Sequence, residues 1–182
     1  GTIAGRMTKS NKIGYIGSFP IPEVVQEGRR TVMFLPLAHV LAHAVQVICL
    51  YARIQVAHSG SPATLLGDLA SFHPTWLLAV PRVFEKVYNT AEQNARNDGK
   101  GKIFARASDV AIAWSEAQDT GSVPLKIKVQ HAVFDKLVYG KLRQALGGSC
   151  SYAVSGGAPL GTRLGHFFRG IGVTILEGYG LT

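Results

Sequence analysis

The sequence is poor in most of what would commit it to a specialised class. Only 16% of its 182 residues are charged, and Asp and Glu together number 11. With 47% hydrophobic residues and no low-complexity tract, the chain is excluded from the disordered class. Cys49 and Cys150 are its two cysteines. They lie far apart in apolar settings, which excludes a disulfide framework and a zinc cluster and fits a reducing compartment. Lys and Arg give a net charge of +8, but no basic run is interleaved with aromatics, so a nucleic-acid partner is not indicated. A continuous apolar leader is missing at the N-terminus, so no signal peptide is expected.

A long uninterrupted apolar run is missing as well. Residues 31–52 carry no formal charge and are long enough to cross a bilayer. Pro36, His39, His43 and Gln46 break the run. The last three fall at i, i+4 and i+7 and so share one helix face. The segment therefore predicts a strand at Thr31–Leu35 and then a largely buried helix whose polar stripe faces a cavity. His39 and His43 lack the HExxH context and a nearby carboxylate, so no metal site is expected.

What is present is a series of short apolar strands alternating with amphipathic segments. Ile54–Ala57 predicts a second strand. Ser61 and Pro62 predict the N-cap and first position of a helix carrying Leu65, Leu66, Leu69 and Phe72. Trp76 to Val80 is continuously apolar, the pattern of a strand covered on both faces. Pro81 opens a helix with Val83, Phe84, Val87, Tyr88 and Ala91 inward, closed by Asn97-Asp98-Gly99. A second helix, with Phe104's neighbours Ile103, Ala107, Val110, Ala111 and Trp114 at helical spacing, ends at Gly121. A third places Val129, Val133, Leu137, Val138 and Leu142 on its core face and ends at Gly147-Gly148. The three make a helical insertion over about 82–146, after which Val154 returns beside the Trp76 strand. This is an α/β fold with a parallel sheet and flanking helices.

The C-terminal stretch is two strand-and-turn units. Ser151–Val154 runs into Ser155-Gly156-Gly157-Ala158-Pro159, and Val173–Leu176 runs into Glu177-Gly178-Tyr179-Gly180, with one helix between them. Gly-rich turns after strands let backbone N–H groups approach a nucleotide closely.

Four motifs in order, Phe34-Leu35-Pro36-Leu37-Ala38-His39, Val80-Pro81-Arg82-Val83-Phe84-Glu85-Lys86, Ser155-Gly156-Gly157-Ala158-Pro159-Leu160 and Glu177-Gly178-Tyr179-Gly180-Leu181-Thr182, make residues 27–182 resemble the long-chain fatty acid–CoA ligases of the adenylate-forming superfamily, actinobacterial type. The resemblance implies a fragment of the large N-terminal domain of such an enzyme, which activates a fatty acid with ATP to an acyl-adenylate and passes it to CoA. It implies that Gly156, Gly157, Ala158 and Pro159 line an adenine pocket beside Glu177, Gly178 and Gly180. Tyr179 would stack on the ring, and Thr182 would address the α-phosphate. His39 would meet the acyl carboxylate, and the charge-free helix after it would wall the acyl channel. ATP or AMP is the implied cofactor, with magnesium and CoA in the complete enzyme. Implied partners are a long-chain fatty acid or acyl-adenylate, in the cytoplasm or peripherally at a membrane.

The family's phosphate loop with its lysine, the glutamate that follows the threonine and holds magnesium, the ribose-binding aspartate and the lid lysine are not found along the chain. The expectation is weak nucleotide or acyl binding without turnover, with missing domains needed to complete a site. Residues 1–26 differ. Met7-Thr8-Lys9-Ser10-Asn11-Lys12-Ile13-Gly14 followed by Phe19-Pro20-Ile21-Pro22 resembles the periplasmic nucleoside-binding family of basic membrane lipoproteins, with a strand at Ile13–Ile16. That segment suggests a mosaic whose first strand replaces a lost sheet edge. It also keeps a solute-binding module, or a purely structural α/β fragment, as the alternatives.

Overall fold

The computed structural model describes residues 28–61 and 64–178. Its strands are β1 (Arg30–Met33), β2 (Gln55–His58), β3 (Trp76–Ala79), β4 (Tyr152–Gly156) and β5 (Thr174–Gly178). Its helices are α1 (Val40–Tyr51), α2 (Leu65–Phe72), α3 (Pro81–Asn97), α4 (Gly101–Asp119), α5 (Leu125–Phe134), α6 (Gly140–Ala145) and α7 (Thr162–Gly170), with a π-helical turn at Asp135–Tyr139 between α5 and α6. The strand expected at Ile13–Ile16 lies outside the described residues.

β1 and β2 pair in parallel, with Arg30 opposite Gln55 and Met33 opposite His58. β3, β4 and β5 form a second parallel sheet in that order. The two sheets meet edge to edge at Thr75. Its N–H donates to the Arg30 carbonyl at 2.8 Å, and its Oγ1 accepts the Arg30 N–H at 3.0 Å. Parallel pairing follows from the helices that intervene between every pair of neighbouring strands.

All four residues of β3 are buried, as a strand covered on both faces requires. Leu77 and Ala79 point into the larger core. There they join Leu69, Phe84, Phe104, Tyr139, Phe167 and Phe168 from helices α2 to α7. Trp76 and Leu78 point the other way, with Met33 and Val154, against Ala42, Val45 and Cys49 of α1. One helix thus spans both sheets on that side.

The larger core is aromatic and closely packed. Tyr88 meets Phe167 edge-on at 4.8 Å and Phe104 at 5.4 Å, while Phe84 meets Phe168 at 5.5 Å, the geometry that ring quadrupoles favour. Gly170 permits the close crossing of α7 and α4: a Cβ there would overlap the Ala111 carbonyl. The π turn puts Tyr139 fully inside, with its hydroxyl donating to the Ala107 carbonyl at 2.7 Å.

Helix boundaries follow local chemistry where it is strong. Pro81 occupies the first turn of α3, and Gly99, Gly121 and Gly147 close α3, α4 and α6 with φ of +71°, +78° and +91°, conformations that cost glycine little. Three expectations need correction. The N-cap of α2 is Thr64, not Ser61. Ser61 instead offers its carbonyl to the Thr64 N–H and hydroxyl, so the helix begins one turn later. Val129, Val133 and Leu137 are exposed, not core; α5 seats itself by His131 and its neighbours instead. Helix α1 is not largely buried: Val40, Val47, Leu50 and Tyr51 face outward, and so do His39 and His43. Among the described residues it is the one helix on its side of the sheets, and it seals Ala42, Val45 and Cys49.

Candidate active site

In open parallel sheets, ligands bind beyond the carboxyl ends of the strands. Three segments converge at that edge here: the turn after β4, the end of β5, and the first turn of α1, which follows β1.

β4 delivers Gly156 buried, and the chain then opens into Gly157, Ala158 and Pro159, all exposed. Gly157 has φ +86°, which a residue with a side chain rarely adopts. A Cβ on Gly156 would lie 2.9 Å from Leu41 Cδ2. Glycine at 156 is thus what lets α1 come down on the end of β4. Leu160 is buried again, and its N–H donates to Glu177 Oε1 at 2.7 Å. That bond spans 17 residues and fastens the β4 turn to the end of β5. The register already sets Glu177 opposite Ser155 and Gly178 opposite Gly156, so the end of β5 lies beside the start of the β4 turn. Glu177 therefore holds the edge together.

His39 is the N-cap of α1. Its N–H donates to the Pro36 carbonyl at 2.9 Å, and its Nδ1 accepts the Leu41 N–H at 3.3 Å. An acceptor role at Nδ1 puts the proton of the neutral ring on Nε2. The imidazole is exposed, so Nε2–H is a donor available to a ligand at the same edge as Leu41 and Gly156. His43 accompanies it one turn later on the exposed side. Gln46, the third member of the stripe, is half-buried with its Oε1 sealed and unpartnered. The stripe as a whole does not line an enclosed cavity among the described residues.

Tyr179, Gly180 and Thr182 lie outside the described residues. The structure thus brings together His39, Gly156, Gly157, Ala158, Pro159, Glu177 and Gly178. One polar group was missed in the sequence: Ser155, whose buried Oγ has no hydrogen-bond partner. It lies directly before the glycine pair and beside Glu177 in register, and its place at the head of the Ser155–Leu160 motif was its signal in the sequence. Two cavities of about 480 and 510 Å³ lie elsewhere, one lined by Val87, Phe104 and Leu142, the other by Trp114, His131 and Arg169. Neither contains a residue of the strand-end edge. Chemistry, not cavity size, identifies the site.

An exposed glycine turn fastened to the end of β5 and an exposed imidazole N–H suit a planar, polar ligand approached through backbone groups. The profile of the AMP-binding enzyme family matches residues 10–182. The chain belongs to that family. Among curated relatives it is 58% identical over 161 residues to the long-chain-fatty-acid–CoA ligase FadD15 of Mycobacterium tuberculosis, a match covering 88% of this chain and 27% of the relative. It is 31% identical over 153 residues to long chain acyl-CoA synthetase 3 of Arabidopsis thaliana, covering 82% and 22%. The chain thus spans about a quarter of the length of the curated relatives it matches. These matches favour the fatty acid–CoA ligase reading over a solute-binding module.

Among solved structures, the adenylation domain of a carboxylic acid reductase from Segniliparus rugosus, in complex with AMP and a co-purified carboxylic acid, superposes with a TM-score of 0.60 at 22% identity. The superposition covers 84% of this chain and 20% of that one, and it supports the α/β fold of an adenylation domain. The family match begins at residue 10 and so overlaps residues 10–26 of the N-terminal segment. No described helix is long and apolar enough to cross a membrane.

Proposed function

We propose that this chain forms the adenine-side half of a fatty-acyl adenylation site and is catalytically incomplete alone. In the whole reaction an acyl carboxylate oxygen attacks the α-phosphorus of ATP and the bond to pyrophosphate breaks; the CoA thiol then attacks the acyl carbon, the acyl–phosphate C–O bond breaks, and AMP leaves with the thiol proton released. The observation that carries the proposal is the bond from the Leu160 N–H to Glu177. It ties the Gly156–Pro159 turn to the end of β5 at the strand-end edge of an AMP-binding family chain.

AMP or ATP is held by backbone at Gly156–Pro159, with Tyr179 on the adenine face and Thr182 directed to the α-phosphate. His39 donates from Nε2 to the acyl carboxylate, where charge changes during adenylation. Val40, at the start of α1 beside the His39 cap, borders the acyl chain. Magnesium supplies charge neutralisation when bound, but among the described residues no cluster of three His, Cys, Asp or Glu could hold it. The magnesium and CoA contacts are assigned to parts of the longer enzyme. The substrate is a long-chain fatty acid, and the setting is cytoplasmic and membrane-peripheral. Residues 1–26 are proposed to be a strand-and-turn segment of separate origin, a reading that the family match from residue 10 onward counts against over residues 10–26.

Calorimetry with ATP, a non-hydrolysable palmitoyl-adenylate analogue and inosine tests the reading. Tightest binding of the adenylate analogue is expected. Inosine binding alone would move the function to a nucleoside receptor, and silence with all three would leave a structural domain. Hydroxamate trapping of activated palmitate is expected to find no product, because positioning and charge neutralisation dominate this chemistry.

A further inference from the structure

Leu125, Val129, Val133 and Leu137 follow one another at four-residue spacing along α5 and the π turn, and they are 75%, 57%, 50% and 59% exposed. Monomeric domains scatter exposed apolar residues singly, whereas a contiguous row of them marks an interaction surface. Ile103 of α4, itself 49% exposed, lines the same cavity as Leu137 and widens the patch. The row is not an end that happens to fray. The opposite side of α5 is fastened: the His131 ring stacks on Trp114 at 4.2 Å, and its Nε2 lies 2.6 Å from the Gly170 carbonyl. Tyr139 and Arg143 bind the carbonyls of Ala107 and Ile171. With those contacts made, the helix cannot turn its apolar row inward.

The charge along α5 itself is mostly basic, although Asp98 lines the cavity at the edge of the patch. Lys126 and Lys128 fall on either side of it at helical spacing, and Lys136 sits between Val133 and Leu137. All three are exposed. The one acid from residue 125 to 145 is Asp135, and it is engaged by Arg143 at 2.6 Å. Among the described residues none of these lysines forms an ion pair. Helix α1 supplies the internal contrast. It exposes Val47, Leu50 and Tyr51 within a stretch that has no charged residue.

A fixed helix with an outward apolar row and lysines along it matches an interfacial helix lying in the plane of an anionic bilayer. We propose that the α5 face docks on an anionic lipid surface, the Leu125–Leu137 row entering the boundary between headgroups and acyl chains and the lysines meeting headgroup phosphates. This names the surface behind the membrane-peripheral setting proposed above, and it needs neither nucleotide nor fatty acid to be tested.

Sedimentation with vesicles of phosphatidylcholine, with and without phosphatidylglycerol, decides it. Binding is expected to the phosphatidylglycerol vesicles, to weaken as salt is raised, and to fall about fivefold for each of K126Q, K128Q and K136Q. V129D combined with V133D is expected to abolish it, while L50D on α1 leaves it intact. Every position is exposed, so unchanged melting and near-UV spectra identify folded variants. Equal binding to uncharged vesicles, equal loss in L50D, or no binding at all would each overturn the proposal. So would a concentration-dependent dimer, seen by sedimentation equilibrium without vesicle binding and lost in V133D, because a second copy would then be the occupant. Since no nucleotide is added, failure here is distinct from failure of the adenylation reading.

Discussion

The two faces of the sheets are built differently. On one, six helices and the π turn seal an aromatic core in which Tyr139, Phe84, Phe167 and Phe168 are all fully buried. On the other, the described residues offer α1 alone, which buries three of its twelve residues and leaves Tyr51 90% exposed. The thick face has the area and packing to hold the fold. The thin face carries His39 and the helix turn that rests on Gly156. Low local packing is what allows a binding element to move, so stability and recognition are divided between the two sides of the same strands. The sharpest way to break that division is truncation. Phe168→Ala is expected to cost about 3–5 kcal/mol, the range for emptying a buried aromatic site. Val45→Ala, under α1, is expected to cost about 2 kcal/mol. Urea melts of both variants measure the difference, and equal losses would remove the distinction.

Where the faces meet, at the strand-end edge, the next effect is smaller. Glu177→Ala leaves the Leu160 N–H without its acceptor, which is expected to cost about 1–2 kcal/mol and to weaken adenylate-analogue binding by loosening the β4 turn. Glu177→Gln retains a carbonyl acceptor and is expected to recover most of both. If the Gln variant binds as poorly as the Ala variant while melting normally, the carboxylate touches ligand directly and does not act through Leu160.

This division was only partly legible in the sequence. Pro81, Gly99 and Gly147 announce boundaries because their chemistry is local, and the unbroken Trp76–Val80 run announces cover on both sides. Periodicity in α5 reports which residues are apolar but not what covers them, so Val129, Val133 and Leu137 read as core when they are surface. The same limit applied to α1, where a charge-free stretch reads as buried although its neighbours shield one stripe. The turn at 156–159 was legible from its glycines. The bond joining Glu177 to Leu160 was not, since it depends on strand register across an intervening helix. Ser155 and the N-cap role of His39 are of the same kind.

The two cysteines report on the faces separately. Cys49 lies under α1 and Cys150 in the larger core, both buried. Burial pushes the Cys49 thiol up to about 11 and the Cys150 thiol up to about 12. At pH 8 neither is a thiolate in the folded state, so each reacts through opening of its surroundings. Cys49 is expected to be alkylated about tenfold faster than Cys150, corresponding to an opening easier by about 1.4 kcal/mol. Peptide mass spectrometry after timed quenching gives the order, and Cys150 reacting first would reverse the assignment of the thin face.

The smallest effect tests whether charge contributes to the thick face at all. All three ion pairs among the described residues lie on its helices, and the Asp135–Arg143 pair is the one that also reaches a core-bordering carbonyl, at Ile171. The hydrogen bond from Arg143 holds the Asp135 carboxyl below the usual carboxylate range; burial opposes it, and the charges of Arg143 and then His131 add smaller lowering effects. A lowered folded-state value means that the pair's contribution is present above the unfolded carboxylate pKa of about 4. It is lost as pH falls through the folded value. The Asp135 side chain is 41% exposed, so solvent screening limits the contribution to about 0.5 kcal/mol. Asp135→Asn is therefore expected to lower stability slightly at pH 7 and to match the parent once both are below pH 3. A loss at pH 7 comparable to that of Phe168→Ala would mean that the thick face depends on this ion pair as much as on its aromatic packing.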